Sequence, residues 1–138
     1  MRLSIISIFL ILSGVCAHSD DVRSVTLNQE FNIKVGQRVE VKTEKLQIRF
    51  TTVLEDSRCP KGAQCIQAGN GKIELELVRE KNDPASVSLN TDSGSSEADY
   101  QGYTIRLIAL NPYPVVNQSI RQEEYEATLV VSVQKKGE

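Results

Sequence analysis

The sequence predicts an all-β fold: a single immunoglobulin-like or related antiparallel β-sandwich carrying one short disulfide loop. Three features lead there. Apolar residues recur at every second position over most of the chain. Turn-forming residues interrupt these runs at short intervals. No stretch sets apolar residues three and four apart between two helix caps.

The first element is not part of the fold. Arg2, the apolar run from Leu3 to Leu12 and the small residues after it have the layout of a secretion signal. The run is too short to span a bilayer, which takes about 20 apolar residues. Val15 and Ala17 frame a cut after Ala17, so residues 1–17 are expected to be removed and residues 18–138 to form the sandwich, starting at His18. A competing reading takes Cys16 as the lipid-modified cysteine of a bacterial lipoprotein, although Val15 stands where such signals favour Gly, Ala or Ser. Loss of residues 1–17 from a chain of 138 leaves a length suited to one core. It also removes Arg2, which moves the net charge of −2 one unit further negative. No basic excess or Lys/Arg cluster marks a nucleic-acid binder.

The strands follow in order. Val25, Leu27, Phe31, Ile33 and Val35 share odd positions, and Gly36-Gln37 ends the run. Val39 and Val41 alternate with Arg38, Glu40 and Lys42; Leu46, Ile48, Phe50 and Leu54 alternate with Gln47, Arg49 and Thr51. Ile73, Leu75 and Leu77 form the next apolar face, and Asn82-Asp83-Pro84 closes it with turn chemistry. Val87 and Leu89 suggest a short strand, and the polar stretch from Thr91 to Gly102 a mobile surface loop. Tyr103, Ile105 and Leu107 resume the alternation. Pro112 and Pro114 each lack a backbone donor, so Asn111–Pro114 should run extended over the surface or an edge. The last strand would turn Ala127, Leu129, Val131 and Val133 inward. Its leading Tyr125 resembles the tyrosine corner of immunoglobulin-like sandwiches, whose hydroxyl ties back to nearby backbone.

Only Cys59 and Cys65 remain after signal removal, and an exported chain enters an oxidising compartment, so the two are expected to pair. A zinc site would need two more ligands, and the only histidine is His18 at the new terminus. Pro60 and Gly62 suit a tight turn between the sulfurs, while Gly69 and Gly71 allow positive φ or close backbone approach on the way to the next strand. Asp56, Pro60, Gly62 and Gly69 therefore read as structural parts of a stapled loop. Asp56 and Arg58 could pair with each other or present charge to a partner.

The stretch Asp56-Ser57-Arg58-Cys59-Pro60, followed by Gly62, Cys65, Ile66, Ala68 and Gly69, resembles the signature of an uncharacterised family of small exported bacterial proteins, periplasmic or lipid-anchored. The likeness extends more weakly to the Tyr103 strand, the Pro112 and Pro114 segment and the start of the last strand. Members commonly carry Trp where this chain has Gln67. The resemblance implies an exported location and no particular reaction.

The expected role is that of an exported binding or envelope-associated module, without cofactor or metal, whose partner is a protein or envelope component. Arg58, Lys61, Gln64 and Gln67 are the expected contacts, because a stapled loop presents side chains with little ordering cost. The alternative is a secreted inhibitor that plugs a hydrolase with the same loop. Catalysis is not expected, since a serine would find only His18 as base and no spacing selects a carboxylate pair. Asp92, Ser95, Glu97 and Asp99 lack the alternating acidic pattern of a calcium loop. Asn117-Gln118-Ser119 matches a glycosylation acceptor, relevant only in a eukaryotic source.

Overall fold

A computed structural model describes residues 22–92 and 94–135 and places nine strands among them. They are β1 (Arg23–Val25), β2 (Phe31–Lys34), β3 (Arg38–Val41), β4 (Leu46–Asp56), β5 (Gly71–Arg79), β6 (Ala85–Asn90), β7 (Glu97–Tyr100), β8 (Tyr103–Asn111) and β9 (Glu126–Val133). One sheet has the order β1-β3-β4-β5-β6, the other β2-β9-β8-β7. All pairings are antiparallel except β1 with β3. The expected signal over residues 1–17, the Cys16 anchor and the His18 terminus lie outside the described residues.

The alternation in sequence becomes the interior of the sandwich. Ile73, Leu75 and Leu77 of β5 and Leu46, Ile48 and Phe50 of β4 face Ile105 of β8 and Ala127, Leu129 and Val131 of β9, all sealed from solvent. Each such aliphatic or aromatic side chain contributes about 1.5–3 kcal/mol when fully buried. Phe31, Ile33, Val39, Val41, Val53, Leu89, Tyr103, Leu107, Leu110 and Tyr125 complete the packing.

Two bulges in β4 break the simple period. The pairing with β5 slips between Phe50 and Thr52 and again between Val53 and Glu55. An extra residue reverses which face the following side chains take. The sequence reading placed Leu54 inward; instead Val53 is buried and Leu54 is 50% exposed. The second slip sets Asp56 opposite the buried Gly71. The slipped backbone is satisfied by Gln122, whose Oε1 accepts from the Val53 N–H at 3.0 Å and whose Nε2 donates to the Val53 carbonyl at 2.9 Å.

Three further expectations are corrected. Val133, the last residue of β9, is exposed rather than inward, at the end of the sheet where it pairs with Tyr103. The stretch Thr91 to Gly102 is not one loop, since Ala98 and Tyr100 pack against the core and β7 pairs with β8. Tyr125 is buried, but its hydroxyl donates to the Asp56 carboxylate at 2.9 Å and not to nearby backbone.

Candidate functional site

The hairpin of β4 and β5 continues past its strands. Ser57 N–H donates to the Asn70 carbonyl at 2.8 Å and Cys59 N–H to the Ala68 carbonyl at 2.7 Å. Gly69 lies inside this ladder at φ +71°, and a Cβ there would stand 1.7 Å from the Ser57 carbonyl oxygen. Only glycine fits. The loop beyond is closed by the Cys59–Cys65 disulfide, with Cα atoms 5.9 Å apart. Between the sulfurs, Ala63 N–H bonds to the Pro60 carbonyl, and Gly62 turns the chain at φ +92°.

What anchors the loop is Arg58. Its Nε and Nη2 donate to the two oxygens of Asp56, both at 2.7 Å, a bidentate pair. Its Nη1 donates to the Leu110 carbonyl at 2.5 Å and Nη2 also to the Pro112 carbonyl at 3.1 Å. Of these four side-chain bonds, two join the loop to β8 and the proline segment and two tie it to the end of β4. Arg58 is the one buried charged residue among those described. Its role as a surface contact, expected from sequence, is therefore corrected: the guanidinium is spent inside the protein.

Asp56 collects these bonds at the seam of the two sheets. It ends β4, while Tyr125 leads into β9 of the opposite sheet. Burial by itself raises the Asp56 carboxyl, but the bonds from Arg58 and Tyr125 outweigh it and hold the group below its ordinary 3.8. Burial first, and the Asp56 carboxylate second, push the Tyr125 hydroxyl up to about 12. A carboxylate fixed as an anion and a phenol fixed as a donor form a stable clasp, with no proton to exchange near neutrality.

A second wall supports the loop. Lys61 N–H donates to the Pro114 carbonyl at 2.9 Å, and Val116 N–H donates to the Lys61 carbonyl at 3.0 Å. These two bonds make Lys61 and Val115 a short parallel bridge. The Tyr113 hydroxyl donates to the Cys59 carbonyl at 2.9 Å. Its ring centroid lies 5.0 Å from the Arg58 guanidinium carbon and 5.8 Å from Lys61 Nζ. Cation–π attraction therefore adds to the docking of the loop.

Of the residues expected to make contacts, Lys61, Gln64 and Gln67 are exposed on the loop. Pro60 is half-buried at its base, and the Asp56 side chain is only 9% exposed. Sequence reasoning missed Ile66, which is fully exposed beside Cys65, and the exposed Val115 and Val116 of the adjoining segment; Tyr113, between Pro112 and Pro114, is exposed beside them. The sign was present: Ile66 sits between Cys65 and Gln67 in a stretch with no alternation that could turn it inward. The acidic residues considered for calcium are engaged separately. Glu97 pairs with Arg106 at 2.6 Å, Asp99 accepts from Gln134 at 3.0 Å, and Asp92 accepts from the Gly94 N–H at 3.0 Å. Asn117 lies exposed in the turn after Val116.

No protein-family model, curated protein or solved structure matches this chain.

Proposed function

We propose that this protein is an exported, non-catalytic binding module that engages a protein partner through the disulfide loop and the adjoining Tyr113–Val116 segment. The observation that carries this reading is Ile66, a fully exposed aliphatic side chain on a loop held by a disulfide, a buried bidentate ion pair and a backbone bridge. Exposing it costs the free protein hydrophobic stabilisation that a partner's surface would recover. Rigid presentation reduces the entropy lost on docking. Tyr113, Val115 and Val116 add apolar surface, and Lys61, Gln64 and Gln67 supply a polar rim. The secretion-like first 17 residues and the resemblance to small exported bacterial proteins support the exported location.

The hydrolase-inhibitor reading takes a narrower form. Substrate-like pairing at Lys61 is disfavoured because its N–H and carbonyl already bond to Pro114 and Val116. An inhibitor would have to use the tip from Gly62 to Ala68.

Site-specific photocrosslinking tests the proposal. A photoreactive residue at Ile66 is expected to capture one partner in the exported fraction. The same probe at Ser88, exposed on β6, is expected to capture none of it. Ile66→Asp should abolish capture by a probe at Gln64 without changing the melting temperature. Equal capture from Ser88, or unchanged capture in Ile66→Asp, refutes the loop as the contact surface.

A further inference from the structure

We infer that β6 is a pairing edge at which two copies of this chain join antiparallel about a two-fold axis, uniting their five-stranded sheets. The inference is separate from the role proposed for the disulfide loop.

An edge strand offers unpaired backbone N–H and C=O groups to any strand that can lie beside it. Among the described residues the two sheets end at β1, β6, β2 and β7. Three of these edges are guarded. β1 is three residues long and carries Arg23. On β2 the Asn32 carbonyl accepts from the Arg23 guanidinium, and the Lys34 N–H donates to Gln37 Oε1 at 2.9 Å. β7 has four residues, two of them the charged Glu97 and Asp99. β6 has six residues and no charge in Ala85-Ser86-Val87-Ser88-Leu89-Asn90. Shortness and charge are common guards of an edge, and β6 has neither.

The strand's alternation shows which groups are free. The Thr91 N–H donates to the Gly71 carbonyl of β5, whereas the Asn90 N–H turns the other way, to the Ser95 carbonyl at 3.0 Å. Successive residues of a strand direct their backbone groups to opposite neighbours. Ala85, Val87 and Leu89 therefore bond to β5, opposite Leu77, Leu75 and Ile73, while Ser86 and Ser88 direct their N–H and C=O outward. Both serines are exposed, and among the described residues nothing bonds to these outward groups. Pro84, which has no N–H, bounds the free window at one end. The Asn90–Ser95 bond bounds it at the other.

The window is symmetric about Val87, and that symmetry selects the occupant. A two-fold axis at Val87 sets Ser86 of one copy opposite Ser88 of the second, and each such pair exchanges both of its N–H···O=C bonds. Every free group on both edges is then paired. Self-pairing sets like beside like, which repels where a strand is charged and costs nothing of that kind on β6. At the axis the two copies of Val87 meet in the non-hydrogen-bonded position, where side chains approach most closely. Val87 is half-buried at the rim of the core, and its twin covers the open part. A strand from an unrelated protein could take the same bonds, but the small uncharged side chains of β6 give it nothing to be recognised by.

So small a contact is weak, and concentration is the variable that reveals it. Sedimentation equilibrium of the exported chain is expected to show a reversible monomer–dimer exchange, with the Ser86 and Ser88 amide hydrogens slowing in exchange as dimer forms. Ser86→Lys with Ser88→Lys faces lysine with lysine across the seam and should weaken dimerisation at least tenfold without lowering the melting temperature. Ser86→Lys with Ser88→Glu faces opposite charges and should restore it. Val87→Cys should give a covalent dimer on oxidation, since the facing Cα atoms would lie about 4.5 Å apart, within disulfide reach. Ser88→Cys, whose counterpart is residue 86, should not. A chain that stays monomeric at every concentration, a dimer indifferent to the double lysine variant, or equal crosslinking through Ser88→Cys overturns the inference. So does a photoreactive probe at Ser88 that captures a different protein in place of a second copy.

Discussion

Arg58→Ala removes the centre of the loop's anchorage, and its consequences can be worked from the structure. The substitution deletes both bonds to the Asp56 carboxylate and those to the Leu110 and Pro112 carbonyls. It leaves a carboxylate that is 9% exposed with no counter-charge, satisfied by the Tyr125 hydroxyl, the backbone N–H of residue 58 and any water that enters. Breaking a buried pair in this way costs about 3–5 kcal/mol. With a urea m-value of about 1–3 kcal/mol/M, the unfolding midpoint should fall by at least about 1 M. Arg121→Ala, which breaks only exposed pairs with Glu123 and Glu124, should leave the midpoint unchanged.

The pH dependence gives a second readout. Asp56 has a folded pKa below its ordinary 3.8, so its contribution to stability is complete above that value and is lost as pH falls through the folded pKa. Without Arg58, burial dominates and the carboxyl titrates higher. The gap between parent and variant should therefore narrow as pH falls from the variant's higher pKa through the parent's lowered one. On the alkaline side, Tyr125 is raised from 10.0 to about 12, so its contribution is present below 10 and disappears as pH climbs toward 12. If Arg58→Ala unfolds outright, Asp56→Leu with Arg58→Met should recover a folded protein, since no buried charge then remains. A midpoint shift no larger than that of Arg121→Ala, or a stability gap independent of pH, would refute the clasp.

Two other expectations concern the loop's covalent and backbone constraints. Cys59→Ser reopens a loop of about seven residues and should lower stability by about 2.4 kcal/mol, read by denaturant titration with far-UV circular dichroism; an unchanged midpoint would mean that the staple constrains little. Gly69→Ala meets the Ser57 carbonyl oxygen and should cost at least about 2 kcal/mol, whereas Gly36→Ala, at φ +87° with open space around it, should cost only about 1 kcal/mol for its backbone conformation. Equal losses at the two glycines would show that the close approach at Gly69 is relieved by movement.

The strands were legible because burial on one face writes a period of two. Ile73, Leu75 and Leu77 alternate with Lys72, Glu74 and Glu76 in sequence, and the sheet buries the first set and exposes the second more. The reading failed at Val53 and Leu54 because a bulge adds one residue and reverses the faces without changing composition. The same happens in β8, where the pairing slips between Leu107 and Ala109 and leaves Ile108 43% exposed. The short β7 went unseen because its inward residues are only Ala98 and Tyr100, amid polar neighbours.

At the candidate site the division is sharper. From sequence alone, the two cysteines, Pro60 and the glycines already defined a tight, closed loop, because backbone conformations that only glycine tolerates and a short cysteine spacing are local properties. Arg58 was different. Whether it faced a partner or the interior depended on the Asp56 carboxylate two residues away and on the Leu110 and Pro112 carbonyls more than fifty residues along the chain. Tyr125, nearly seventy residues from Asp56, reaches it because the two sheets stack with these ends together. Local sequence specifies which conformations a segment can adopt; the desolvation that turns an arginine from a surface contact into an internal clasp arises only when distant segments close over it.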